Sequence, residues 1–219
     1  MPFSLPRFIR ALGVCLLTAL PIQLSADGEK SGEFDYYVLA LSWSPNWCAT
    51  TGDARASEQC DAREDYGWIL HGLWPQFHRG WPAYCRTAEA PPTRRMSREM
   101  ADIQGNAGLA WHQWKKHGTC SGLSAQRYYD LARTAYDSVT RPAVFRKLDK
   151  PVKLPASLIE DAFLKANPTL SEDTLTVTCR DGYIEEVRIC LSKDLDPVPC
   201  GRDTIQDCRL KNAIFDPIR

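Results

Sequence analysis

FDYYVLALSW, residues Phe34 to Trp43, is aromatic and apolar with little polar interruption, the pattern of a strand buried inside a sheet. The SPNWC that follows breaks it with Pro45. Moving outward, Gly67 to Leu73 (GWILHGL) reads as a second buried strand. It delivers His71 and Gly72 at or near its C-terminal end, with Pro75 forbidding continuation. Near the end of the chain TLTVTC and YIEEVRIC alternate in polarity around Asp181 and Gly182, which predicts a hairpin. Helical patterns lie between. SAQRYYDLARTAYDSV, capped by Ser124, carries Tyr128, Leu131, Ala135 and Val139 at helical spacing, and LPASLIEDAFLKANP is a short amphipathic helix closed by Asn167 and Pro168. Strands early, helices in the middle and strands late predict an α+β domain with a central antiparallel sheet, not alternating βαβ units.

One helix carries the chemistry. WHQWKKHGTC, Trp111 to Cys120, packs two histidines, two lysines and a cysteine into a helix end, with Asn106 as a candidate cap at the other end. At about 100° per residue, His112, Gln113, Lys116 and His117 fall on one stripe, and Trp111 and Trp114 point to the opposite, buried side. Gly118 suits a left-handed helix stop, and Lys115, Lys116 and His117 stand where a helix C-terminus favours cations. All four histidines lie in two short stretches: His71 and His78 in one, His112 and His117 in the other.

The bulk properties set limits on what this site serves. With 219 residues, 44% hydrophobic and 25% charged, the chain has the make-up of one ordinary globular domain. Residues 1–26 run from Arg7 and Arg10 through an apolar stretch, Ala11 to Leu20, to small residues ending at Ala26. That order predicts a secretory signal peptide, the alternative being an uncleaved anchor, and leaves 27–219 as a single domain. Removing it takes two of the 27 basic residues and leaves 25 against 27 acidic ones, so bulk charge does not advertise a nucleic-acid coat. Apart from Cys15 in the leader, eight cysteines remain, an even count that implies disulfides in an oxidising compartment, secreted or periplasmic. Cys48 and Cys60 stand at the two ends of a small, polar loop as candidates for a staple; spacing alone does not choose among the other pairings. No CxxC pair occurs, which argues against a structural zinc or a thioredoxin-like centre. His112 and His117 are five apart, not four as in a helical zinc motif, so no metal and no other cofactor is expected.

Three histidines and a lysine facing one pocket suit a reaction that removes one proton, delivers another and accumulates negative charge between, such as phosphodiester cleavage of RNA. HGLWPQ (His71 to Gln76) followed by WHQWKKHGTC resembles the two signature segments of the ribonuclease T2 family, and FDYYVLALSWSPNWC is similar to the strand that precedes them there. The resemblance implies that family's α+β fold and metal-free cleavage of single-stranded RNA through a 2′,3′-cyclic phosphate to a 3′-phosphate. It implies His117 as general base of the first step, His71 as general acid, His112 as phosphate ligand and Lys116 as charge stabiliser, His71 and His117 exchanging roles in the second step. It points to Trp74, Gln76 and Trp81 for the base, with broad preference because stacking tolerates every base. It also implies the pairs Cys85–Cys120, Cys48–Cys60, Cys179–Cys208 and Cys190–Cys200. RNA is the expected partner, with no membrane after signal removal and no obligate protein partner.

One position departs from the family pattern: Gln113 stands where glutamate is usual. An amide still hydrogen-bonds a phosphoryl oxygen but holds no charge, a loss of about 1–3 kcal/mol. A catalytically weakened relative that binds RNA or a protein is therefore the alternative reading. Trp43, Trp47, Trp68, Trp111 and Trp114 are expected in the core, and His78 at the surface or in a groove.

Overall fold

The computed structural model describes Met1 and residues 29–219; the expected signal peptide lies outside the described residues. Among the described residues six strands form one sheet: β1 Tyr36–Trp43, β2 Trp68–Gln76, β3 Val152–Leu154, β4 Leu175–Arg180, β5 Tyr183–Leu191 and β6 Ala213–Phe215. The helices are α1 Ser44–Trp47, α2 Arg94–Glu99, α3 Ala101–Gln104, α4 Ala107–Lys116, α5 Ala125–Ser138 and α6 Ser157–Ala166. The sheet runs β2-β1-β5-β6-β3 with β4 also on β5, antiparallel throughout except at the short β5–β6 contact. This is the α+β arrangement expected, with Phe34–Trp43 supplying an inner strand. The hairpin β4–β5 turns at Asp181 and Gly182, both with positive φ (51° and 87°), as a tight two-residue turn demands.

Paired residues on neighbouring strands share a face, so the register sorts the sheet into two sides. Tyr37, Leu39, Leu41 and Trp43 of β1, with Leu70 and Leu73 of β2 and Val187 and Ile189 of β5, belong to the main core with residues of α5 and α6. The other side carries Val38, Ala40 and Ser42, opposite Trp74, Gly72 and Ile69 on β2 and Cys190, Arg188 and Glu186 on β5. Alternation therefore gives one apolar face and one that mixes small and polar residues with Val38, Ile69 and Trp74.

Helix α5 fixes the parts that carry the histidines. Ser124 caps it, accepting from the Arg127 amide, and three tyrosines on its buried side donate to backbone carbonyls: Tyr128 to Leu73 (2.7 Å), Tyr129 to Ala110 (2.9 Å) and Tyr136 to Trp68 (2.8 Å). The first and third hold β2; the second holds α4. Each hydroxyl satisfies a buried polar group while its ring fills the core. Disulfides Cys48–Cys60, Cys85–Cys120, Cys179–Cys208 and Cys190–Cys200 staple the loops to this frame. No helix among the described residues is long and apolar enough to cross a membrane.

Three local expectations are corrected. Strand β2 does not stop before Pro75 but continues to Gln76, because among the described residues its sheet neighbour is β1 alone and an edge strand tolerates a missing donor. Gly118 does not adopt a left-handed stop; it begins a short 3₁₀ turn, and a Cβ there would stand 2.5 Å from Trp114 and 2.8 Å from Tyr128. Packing, not φ, requires the glycine. Trp111 is not in the core: it is 43% exposed, whereas Trp114 is buried.

Candidate active site

His71 owes its position to an irregularity in β2. Ala40 pairs with Gly72 and Leu41 with Leu70, so His71 is an extra residue on the β2 side of the ladder. A bulge of this kind re-aims one side chain without ending the strand. The imidazole turns to the small-residue face of the sheet, where its Nδ1 meets the Glu186 carboxylate of β5, two strands away. Gln104 of α3 donates to the His71 carbonyl, which the bulge takes out of the ladder (3.4 Å).

The helix half begins at Asn106, whose side chain accepts from the Leu109 amide (2.8 Å) and starts α4 as a cap should. The helix ends at Lys116, and His117 follows with its amide donating to the Gln113 carbonyl (2.9 Å). The Cys85–Cys120 bridge and a bond from the Tyr84 amide to the Lys116 carbonyl (2.8 Å) tie the loop after β2 to this helix end.

These two halves face each other across a cleft of about 290 Å³ lined by His71, Trp74, Gln76, Trp81, His112, Gln113, Lys116 and His117, together with Arg188, Asp203, Thr204 and Gln206. Trp74 is the partition. Its ring stacks on His117 (5.2 Å, 24°) and meets His71 edge-on (5.1 Å, 84°), and its indole N–H donates to Gln113 Oε1 (2.7 Å). Gln113 is therefore not on an open stripe with His112: it is 2% exposed, and its carbonyl is already engaged by Trp74. Gly72 makes this possible, since a Cβ there would stand 2.2 Å from Gln113 Oε1 and 2.3 Å from Trp74 Nε1. Trp81 is 53% exposed at the mouth, Gln76 is buried, and His78 lies outside, exposed and stacked on Tyr36.

The two imidazoles differ electrically. Burial, followed by the charges of Lys116, His71 and His112, lowers the His117 pKa to about 3, and its buried Nδ1 has no hydrogen-bond partner. His112 is lowered as well, by partial burial and then by Lys116. Burial alone would raise the Glu186 carboxyl, but His71 and Arg188 outweigh it and hold the group at about 2. Arg188 Nε donates to Glu186 Oε2 (2.8 Å), so both oxygens are used.

A second cavity, about 740 Å³, shares His71, Trp74 and Arg188 with the first; its walls include Asn106, Leu109, Trp47 and Glu186. His71, Trp74 and Arg188 thus border both spaces.

The family model for the ribonuclease T2 family matches residues 34–200, the span that holds β1, both histidine stretches and the β4–β5 hairpin. The chain belongs to the ribonuclease T2 family. A ribonuclease of Aeromonas hydrophila is 36% identical over 200 residues, covering 89% of each chain. Among solved structures, trichomaglin, described as an S-like ribonuclease, superposes with a TM-score of 0.65 at 19% identity, covering 85% of this chain and all of that one. RNase NT in complex with 5′-AMP gives 0.59 at 18% identity with the same coverage. These two likenesses concern the fold.

Membership in the T2 family directs attention to the histidine segments, and the residues missed in the sequence lie elsewhere. Glu186 and Arg188 sit within YIEEVRIC, where period-2 alternation put Glu186 and Arg188 on one face and Val187 and Ile189 on the other. An acid and a base two apart on a strand flanked by small β1 residues was the available signal; which strand would lie beside β1 was not. Asp203, Thr204 and Gln206 reach the cleft from a turn-rich tail between two disulfides, and nothing in their local pattern marks them.

Proposed function

We propose that this cleft is the active site of an endoribonuclease that cuts single-stranded RNA by proton transfer between two histidines, without metal. The observation that carries the reading is the division of surroundings across Trp74: a desolvated His117 on one side and a carboxylate-backed His71 on the other. His117, neutral in the free protein, removes the proton from the ribose 2′-hydroxyl; its Nδ1 is buried, so Nε2 is the nitrogen for this step. The 2′-oxygen attacks phosphorus, the bond to the 5′-oxygen breaks, and His71, as imidazolium, protonates that leaving oxygen. Lys116 and His112 stabilise the charge on the phosphoryl oxygens, with Arg188 as a further cation lining the cleft. In the second step His71 takes a proton from water, which attacks phosphorus; the bond to the 2′-oxygen breaks and His117 protonates it, leaving a 3′-phosphate.

A phosphodiester anion in the cleft opposes the cationic neighbours of His117 and raises its basicity when substrate is bound. The base on the 2′-hydroxyl side takes the space by Gln76 and Trp81, where stacking on an exposed indole gives broad preference. The leaving nucleoside takes the larger cavity that His71 also lines. The four disulfides and the signal-like leader support a secreted or periplasmic enzyme in which 27–219 is one catalytic domain.

Digestion of homopolymeric RNA in EDTA tests this. Cyclic-phosphate ends that later become 3′-phosphates are expected. Binding without cleavage would favour the weakened relative, and activity restored only by a divalent ion would overturn the mechanism.

A further inference from the structure

The sheet face beneath the cleft is built to bring a carboxylate from β5 to a histidine on β2. Between these strands lies β1, and on the shared face it contributes Val38, Ala40 and Ser42. Ala40, opposite Gly72 and Arg188, is fully buried. A larger side chain at Ala40 or Ser42 would fill the gap that Glu186 and His71 bridge. The β2 bulge moves His71 onto this face, and Arg188, on the same side of β5, takes the second oxygen of Glu186. Three separate features, a bulge, small residues on β1 and a paired acid and base on β5, converge on one nitrogen atom.

We infer that Glu186 is a positioning residue for the reaction: it accepts the Nδ1 proton of His71, fixes that tautomer and ring orientation, and so aims Nε2 at the leaving 5′-oxygen. Arg188 holds the carboxylate from its other side and prevents it from rotating away. The inference rests on His71 being the general acid and adds what makes it one. A free imidazole divides its proton between two nitrogens and its ring among rotamers; a carboxylate fixed on Nδ1 removes both freedoms. An ion pair of Glu186 and Arg188 that served folding alone would need no imidazole, yet the imidazole is there, on the one residue that the bulge displaces.

The test uses the full chain and two substrates: a dinucleoside monophosphate, whose alkoxide leaving group needs a proton, and a uridine 3′-(nitrophenyl phosphate), whose leaving group does not. Glu186→Gln keeps the shape and removes the charge. Its kcat on the dinucleotide should fall about 10²-fold, the low end of a general-acid contribution, and stay within about threefold of wild type on the activated ester. In a His71→Ala background the same change should cost nothing further on either substrate. Equal losses on both substrates, or an undiminished loss without His71, would overturn the positioning role while leaving the acid assignment intact. If His71→Ala itself cleaved the dinucleotide at the wild-type rate, the functional reading would fail instead. Should Glu186→Gln not fold, nitrogen-detected NMR of the wild-type protein decides: neutral His71 must carry its proton on Nδ1, and a proton on Nε2 would refute the inference.

Discussion

His71 stands on a strand bulge, partly open to solvent, with an ionised carboxylate against one nitrogen; His117 stands just past a helix end, nearly dry, with no polar partner on its buried nitrogen. The same side chain thus faces a charged partner in one place and, in the other, is dried out and held neutral. What the difference teaches is that, in the mechanism we propose, surroundings and not residue type separate the acid from the base. Trp74, touching both rings, keeps the two environments apart.

The largest break in this comparison removes a ring. His117→Ala or His71→Ala should each lower kcat/KM on RNA by about 10³- to 10⁴-fold with unfolding curves close to wild type, measured by cyclic-phosphate release. A smaller break attacks the partition. Gly72→Ala inserts a methyl between Gln113 and Trp74, so the indole must shift; we expect about a 10- to 100-fold loss in kcat and a lower Tm, read by kinetics and calorimetry. Gln113→Glu sharpens the comparison in the other direction. Glutamate keeps an acceptor for Trp74 while placing negative charge beside His117, which favours the imidazolium formed in the first step. A rise of about tenfold in kcat/KM is expected, equal to roughly 1.4 kcal/mol. An unchanged rate would mean that the amide serves as well as the acid.

The smallest effect is on stability against pH, and its sign is the same for His117 and for Glu186. Folded His117 protonates near 3 and the unfolded residue near 6.5, so between these values the unfolded chain holds more protons and stability falls as pH is lowered. Glu186 is ionised down to about 2 when folded against 4.5 ordinarily, so its contribution, present above 4.5, is lost as pH falls from there to about 2. Urea midpoints should therefore drop between pH 7 and 4, and His117→Gln should flatten the part above pH 4.5. A wild-type midpoint that rose on acidification would contradict the assignment of His117 as neutral.

Much of this was legible in the sequence where local pattern decides structure. Period-2 alternation marked β4 and β5, the Asp181-Gly182 pair marked their turn, and Ser124 and Asn106 marked two helix starts. The histidine stretches were legible because their spacing and company are unusual. What failed depended on the neighbours. Pro75 continues a strand only because β2 is at an edge, and Trp111 is exposed because α4 turns Trp114, not Trp111, onto Tyr128. Gly118 suits a left-handed stop by its place in the sequence, but the structure uses it for close contact with Trp114 and Tyr128. Glu186 stayed hidden because its value comes from strand order, which no window of residues contains.

The division of labour itself is tested most directly by the activated nitrophenyl ester used with the two alanine variants. With a leaving group that departs without a proton, His71→Ala should recover to within about tenfold of wild type, whereas His117→Ala should remain about 10³-fold down because the 2′-hydroxyl still has to be deprotonated. Recovery of His117→Ala in place of His71→Ala, or equal losses for both, would contradict the account.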